Sequence, residues 1–184
     1  MKQWKTLKRK LILDHSKFLK VEEHTIMLPN GKIIEHWPWI ISNDYVLVLP
    51  VTDKNTVLCF KQTKYAVKGT TLAPIAGMIE KNENPLSGAK RELQEEIGYK
   101  SGNWVKLGSF IQCGNKKAAT GHLFIAFNVK KTEKKTSDDL EEQILKEFTL
   151  PQLKKEIFKG SFKITSWSLL MSMGLLYLEN ADNS

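Results

Sequence analysis

The sequence predicts an α/β sandwich in which strands are mixed with three helices. Three observations carry that prediction. Short apolar runs bounded by turn residues recur along the chain and read as strands. Three segments have helical spacing with recognisable starts or stops. The chain has 184 residues and 41% hydrophobic content, enough for one filled core.

The elements follow in order. The first residues are basic, and the only apolar run near them is Leu11 to Leu13, too short for a signal-peptide core. Lys17 to Trp37 reads as two extended runs around Pro29-Asn30-Gly31. The Asn-Gly pair is expected to supply the positive dihedrals of a tight hairpin turn. Tyr45 to Val51 and Thr56 to Gln62 are apolar strands joined by Asp53-Lys54-Asn55. The "TTLAPIAG" segment leads to a helix with Asn84 as cap, Pro85 at the first helical position and Gly98 as its stop. Trp104 to Ile111 and His122 to Val129 are further strands. A polar stretch, "KKTEKKTSDDLEE", precedes a last strand, "QILKEFTL". Pro151 opens a helix to about Phe158, and a final helix spans roughly Lys163 to Glu179. Residues 1–42 are expected to form an N-terminal β extension, and 43–184 the main domain.

Composition narrows the class of function. Cys59 and Cys113 form neither a disulfide framework nor a metal spacing, which suits a reducing compartment. The most apolar late stretch is interrupted by Thr165, Ser166, Ser168, Ser172 and Gly174, so it reads as a buried helix and not as a membrane span. These features predict a cytoplasmic protein with no membrane partner. The net charge of +8 suits a polyanion or a smaller phosphorylated substrate, although the basic residues are spread along the whole chain and mostly solvated. Of 28 basic residues only Arg9 and Arg91 are arginine. In a lysine-using chain, an arginine suggests a need for a planar two-pronged donor toward a carboxylate.

Arg91 lies in "GMIEKNENPLSGAKRELQEEIGY", Gly77 to Tyr99. Leu86, Ala89, Leu93 and Ile97 recur at helical spacing and predict one buried stripe. Glu92, Glu95 and Glu96 fall together across one turn and oppose the macrodipole near the helix end. Each such term costs only about 0.3–1 kcal/mol on an exposed face, so a solvated charged helix would tolerate the cluster. A hard divalent cation would instead turn the repulsion into binding.

The whole stretch resembles the Nudix box, G-x5-E-x7-R-E-U-x-E-E-x-G-U with U apolar. Gly77, Glu83, Arg91, Glu92, Leu93, Glu95, Glu96 and Gly98 occupy its fixed positions, and Tyr99 stands where an aliphatic residue is more usual. The resemblance implies a Nudix fold: an α/β/α sandwich with a central mixed sheet, here with an N-terminal antiparallel β-hairpin extension. It implies hydrolysis of a nucleoside diphosphate linked to another group, using Mg²⁺ with Mn²⁺ able to substitute. By position, Glu92 and Glu96 would be the leading metal ligands and Glu95 the next, completed by the carbonyl of Ala76. Arg91 would orient a neighbouring glutamate, and Glu83 would brace it. Gly77 and Gly98 would serve the backbone.

From about Phe18 onward the chain resembles the ADP-ribose pyrophosphatase and nucleotide-sugar hydrolase branch. That implies a nucleoside diphosphate sugar as substrate, no stable nucleic-acid partner, and a homodimer built through the N-terminal strands. Trp37 or Trp39 would stack on the base, with core packing the alternative for either. Lys64 and Gly114 would contact substrate, and Glu141 or Glu142, ahead of Asp138 and Asp139, would assist the attacking water. The chain departs from the branch in three places. Ala73-Pro74-Ile75-Ala76-Gly77 replaces Glu-Leu-Pro-Ala-Gly, Lys64 stands for a common arginine, and Cys113-Gly114 replaces Pro-Gly. The other readings are a triphosphate or RNA 5′-end pyrophosphohydrolase of the same superfamily and a non-enzymatic ligand-binding module.

Overall fold

The computed structural model describes residues 1–15, 18–132 and 142–181. In chain order these form β1 (Lys5–His15), β2 (Leu19–Met27), β3 (Ile33–Ile41), β4 (Tyr45–Pro50), β5 (Thr56–Lys64), β6 (Val67–Ala73) and β7 (Ile75–Met78). Then follow α1 (Pro85–Ile97), β8 (Tyr99–Lys100), β9 (Asn103–Cys113), β10 (Lys117–Phe127) and β11 (Lys130–Lys131). The last elements are β12 (Gln143–Thr149), α2 (Leu150–Phe158) and α3 (Thr165–Ala181). Strand pairing is mixed: parallel between β3 and β10, antiparallel in β1–β2, β2–β3, β4–β7, β5–β6 and β5–β12. The α/β class and its mixed sheet are as the sequence predicts. The chain divides into two compact units, Met1–Asp44 with Phe110–Gly121, and Tyr45–Ser109 with His122–Ser184.

In the first unit the expected hairpin is present and gains a strand. β2 and β3 pair from Lys20↔Ile41 to Met27↔Ile33. Their turn is closed by Gly31 N–H to Leu28 O at 2.9 Å, and Gly31 has φ +86° while Asn30 does not enter the left-handed region. The expected positive dihedral at Asn30 is therefore absent, because a longer loop needs it only at the glycine. β1, which the sequence reading did not foresee, pairs with β2 from Lys5↔Met27 to His15↔Leu19. Every residue of β1 is exposed, so it lacks the buried alternate face by which strands are recognised.

In the second unit, Val46, Val48 and Leu49 of β4 are fully buried. Such a run is expected of a strand covered on both faces. One cover is α1, where Gly88 lies beside Val46; another is α3, where Gly174 lies against Leu49. A Cβ at Gly174 would sit 2.4 Å from Leu49 Cδ2, so this glycine is needed for close approach. Leu153 of α2 and Leu170 and Met171 of α3 are also fully buried. A capping box starts α2, with Thr149 N–H donating to Gln152 Oε1 at 2.9 Å. β5 is the middle strand of an antiparallel sheet ordered β12-β5-β6. The segment before α1 divides into β6 and β7 at Pro74, which has no N–H to give to a ladder. No helix among the described residues is long and apolar enough to cross a membrane.

Candidate active site

The site is carried by β7 and α1 of the second unit. Asn84 Oδ1 accepts from Ser87 N–H at 2.9 Å and starts the helix with Pro85. Gly98, at φ 71°, ends it by donating to Gln94 O at 2.8 Å. Between these caps Ala89, Leu93 and Ile97 are buried as predicted. Leu86 departs from the predicted stripe and is 36% exposed. It lies in the first turn, before the helix reaches β4 at Gly88 and Val46.

Arg91 organises the carboxylates. Its Nε and Nη2 donate to the two oxygens of Glu83, both at 3.0 Å. Its Nη1 donates to Glu92 Oε1 at 2.7 Å and Glu95 Oε2 at 2.9 Å, and Nη2 also donates to Met78 O at 2.9 Å. A guanidinium has five N–H groups, and these contacts use all five. The arginine is held firmly charged, first by Glu83. The hydrogen bond from Arg91 also holds the Glu83 carboxyl below the usual carboxylate range, and Glu80 N–H donates to Glu83 Oε2 at 2.9 Å.

Glu92 and Glu96 do not lie on a solvated helix face; they are 9% and 8% exposed. Burial pushes the Glu92 carboxyl up against the opposing pull of Arg91. Glu96 Oε2 accepts from Ala76 N–H at 3.2 Å. Gly77 makes room for Glu92: a Cβ there would lie 1.8 Å from Glu92 Oε1. The glycine is thus required by space and not by a left-handed backbone, since its φ is not positive. Glu95 is the accessible member of the set, with its side chain 47% exposed.

β7 and α1 therefore bring together Ala76, Gly77, Glu83, Arg91, Glu92, Glu95 and Glu96. Lys64 ends β5, opposite Val67. Glu142 is exposed just before β12, while Glu141, Asp138 and Asp139 lie outside the described residues. The other candidates belong to the first unit. Trp37 Nε1 donates to Asn115 O at 2.8 Å, and its ring meets Trp4 edge-on with centroids 5.5 Å apart. Trp39 stacks on the buried His24 with centroids 5.0 Å apart. Gly114 is in the β9–β10 turn, where a Cβ would meet nothing within 4 Å.

Two contributors escaped the sequence reading. The Met78 acceptor is a backbone carbonyl, which leaves no mark in residue type. Gly88 did leave one. A Cβ there would meet Glu83 Oε2 at 3.0 Å, and glycine inside a helix pattern costs about 1 kcal/mol against alanine, so its presence flags a packing requirement.

Comparisons with known proteins bear on the fold and the family. A crystal structure of an ADP compounds hydrolase superposes with a TM-score of 0.81, covering 98% of this chain and 97% of that one at 14% identity, which establishes the fold. The ADP-ribose pyrophosphatase of Bacillus subtilis (strain 168) is 30% identical over 143 residues, 75% of this chain and 74% of that protein. A methanol dehydrogenase activator of Bacillus methanolicus is 29% identical over 154 residues, 80% of each chain. Fold, box and relatives define a hydrolase of the pyrophosphatase class. Residues 42–168 match the NUDIX domain, and the chain belongs to that family.

Proposed function

We propose that this chain hydrolyses the diphosphate bond of nucleoside diphosphate sugars, ADP-ribose foremost, to a nucleoside monophosphate and a sugar phosphate with the help of Mg²⁺. The observation that carries the reading is the box geometry. Two buried carboxylates, Glu92 and Glu96, stand one helical turn apart beneath β7, and one arginine fixes the surrounding acids. The named activity of the Bacillus subtilis relative supports the choice of substrate.

The residues suit a hard cation. Glu92 is held in a space that a side chain at position 77 would fill, and its buried negative charge is only partly offset by Arg91. Among the described residues no three acidic, imidazole or thiol groups already converge as a ligand set. Oxygen donors from Glu92 and Glu96, with Glu95 and the Ala76 carbonyl, match the preference of Mg²⁺, which also keeps several waters and substrate oxygens; Mn²⁺ would fit the same donors. A bound cation would neutralise the diphosphate and acidify a water nucleophile.

The protein's own share is positioning and electrostatics. Arg91 fixes the Glu92 and Glu95 rotamers by its two Nη1 bonds, and Glu83 fixes Arg91 from the other side. Ala76 N–H orients Glu96. Lys64 contacts a phosphate of the substrate. Glu141, or Glu142 next to it in sequence, takes the proton of the attacking water. Residues 1–42 extend the domain and pair it with a second copy. The exposed Leu7, Leu11, Ile12 and Leu13 of β1 support that pairing, since apolar side chains gathered on one strand favour cover. Cys59 and Cys113 are both free thiols, which supports a cytoplasmic location.

The test is product identification. The purified protein is incubated with a panel of sugar nucleotides and Mg²⁺, and the products are separated by ion exchange. Equal amounts of AMP and ribose 5-phosphate from ADP-ribose are expected, and excess chelator stops the reaction. Release of inorganic pyrophosphate from nucleoside triphosphates, with sugar nucleotides untouched, would replace this reading by the triphosphate one.

A further inference from the structure

A second concentration of charge lies away from the box. Lys61 of β5 and Lys146 of β12 line a cavity of about 450 Å³ with Lys159 and Lys163. In the β5–β12 pairing Ile144 opposes Lys61 and Lys146 opposes Cys59, so the two lysines share one face of the sheet, a residue pair apart. Gln62, the next residue, is turned to the other face and buried. None of the box acids lines this cavity.

Four lysines line the cavity beside one carboxylate, Glu156, and that carboxylate is already engaged. Its oxygens accept from Lys159 Nζ at 3.0 Å and Ser161 Oγ at 2.5 Å. Lys163 is fixed in place: its N–H donates to Thr71 Oγ1 at 3.0 Å and its Nζ to Lys68 O at 2.8 Å. An ammonium has three N–H groups, so Lys159 and Lys163 each keep two for a guest. Among the described residues Lys61 and Lys146 have no acidic partner. Lysines in an ordinary solvated face spread apart or alternate with acids, whereas these converge on a concavity with Leu72 and Phe148 in its wall. Like charges around a concave, partly apolar surface focus the field on its centre. The volume falls within the range of small-molecule sites, roughly 300–1,000 Å³.

We propose that this cavity binds a phosphorylated small molecule by its phosphate, at a site separate from the box. Lys61, Lys146, Lys159 and Lys163 supply point charges to the phosphate oxygens, a mode of binding that lysine suits. Phe148 and Leu72 take whatever apolar part the phosphate carries. The phosphate comes either as a free inorganic anion or as the ester of a nucleoside or sugar.

The test needs no turnover, so it stands or falls apart from the hydrolase reading. Amide chemical shifts of the full chain are followed during titration with pyrophosphate and, separately, with AMP, in chelator so that no cation recruits phosphate to the box. Saturable shifts at Gly69, Gly160 and Ser161 are expected with both probes. A tighter AMP site would assign the ester as ligand, and a tighter pyrophosphate site the free anion. The Lys61→Ala/Lys146→Ala double variant alters two exposed side chains and should keep the parent's melting temperature while binding about tenfold or more weakly. Glu92→Gln should bind as the parent does. Shifts confined to Gly77–Gly98, no saturation at tens of millimolar, or equal binding by the double variant would overturn the proposal.

Discussion

Gly77→Ala isolates the position of Glu92 from its chemistry. The new methyl would lie 1.8 Å from Glu92 Oε1, 1.9 Å from Cδ and 2.3 Å from Oε2, so the carboxylate must leave its place. No backbone strain accompanies the change, because Gly77 does not have a positive φ. The displaced group is the far end of a flexible side chain, and the fold can absorb the move. What is lost is the 2.7 Å bond from Arg91 Nη1. A hydrogen bond to a charged group is worth about 1.5–3 kcal/mol, and the freed carboxylate regains hydration that burial denied it, leaving a net loss of about 1–2 kcal/mol. For a chain of this size that lowers Tm by roughly 2–8 °C. The effect on activity should be much larger, because a misplacement of about 1 Å in a catalytic array can cost about 100-fold. Gly102→Ala is the control, since a Cβ at Gly102 meets nothing within 4 Å. The assays are thermal unfolding and kcat/KM for ADP-ribose with saturating Mg²⁺. A Gly77→Ala protein within about threefold of the parent in kcat/KM would refute the claim that Glu92 acts from the place where the fold holds it.

Further outcomes follow from the same geometry. Arg91→Lys replaces a five-donor fork by one ammonium and should lower kcat/KM by at least about tenfold despite equal charge; near-normal kinetics would remove Arg91 from its orienting role. Glu83→Gln should cost about 1 kcal/mol at pH 7, a figure kept low by partial solvent screening. Because the folded-state carboxyl is held below 4.5, its contribution is present above that pH and is lost as pH falls through the lowered value. Urea unfolding at pH 7 and in acid should therefore show a gap that closes on acidification, and an unchanged gap would assign the loss to packing. Light scattering at micromolar concentration should give a dimer, and a fully active monomer would leave the exposed apolar residues of β1 without that role.

The parts of the site written in local chemistry were legible. Asn84-Pro85 and Gly98 bounded α1 because caps depend on a few neighbouring residues. The scarcity of arginine pointed to Arg91, although the same reasoning misleads at Arg9, which lies on exposed β1 opposite His24 with no carboxylate pair among the described residues. The burial of Glu92 and Glu96 was not legible. It depends on where β7 meets α1, a long-range fact that residue spacing cannot carry, and the bond from Ala76 N–H to Glu96 has the same origin. Leu86 shows the converse: helical period placed it on the apolar face, but its turn begins before the partner strand does. β1 was hidden because alternation marks only strands with one buried face.

The central claim is that one set of box carboxylates both binds the cation and drives hydrolysis. The direct measurement is Mn²⁺ binding, by water-proton relaxation, together with ADP-ribose hydrolysis on the same samples of parent and of the Glu92→Gln/Glu96→Gln variant. The account predicts that the variant keeps the parent's fold by circular dichroism, loses saturable Mn²⁺ binding, and loses turnover with it. A folded variant that still binds Mn²⁺ and still cleaves ADP-ribose at the parent's rate would contradict it.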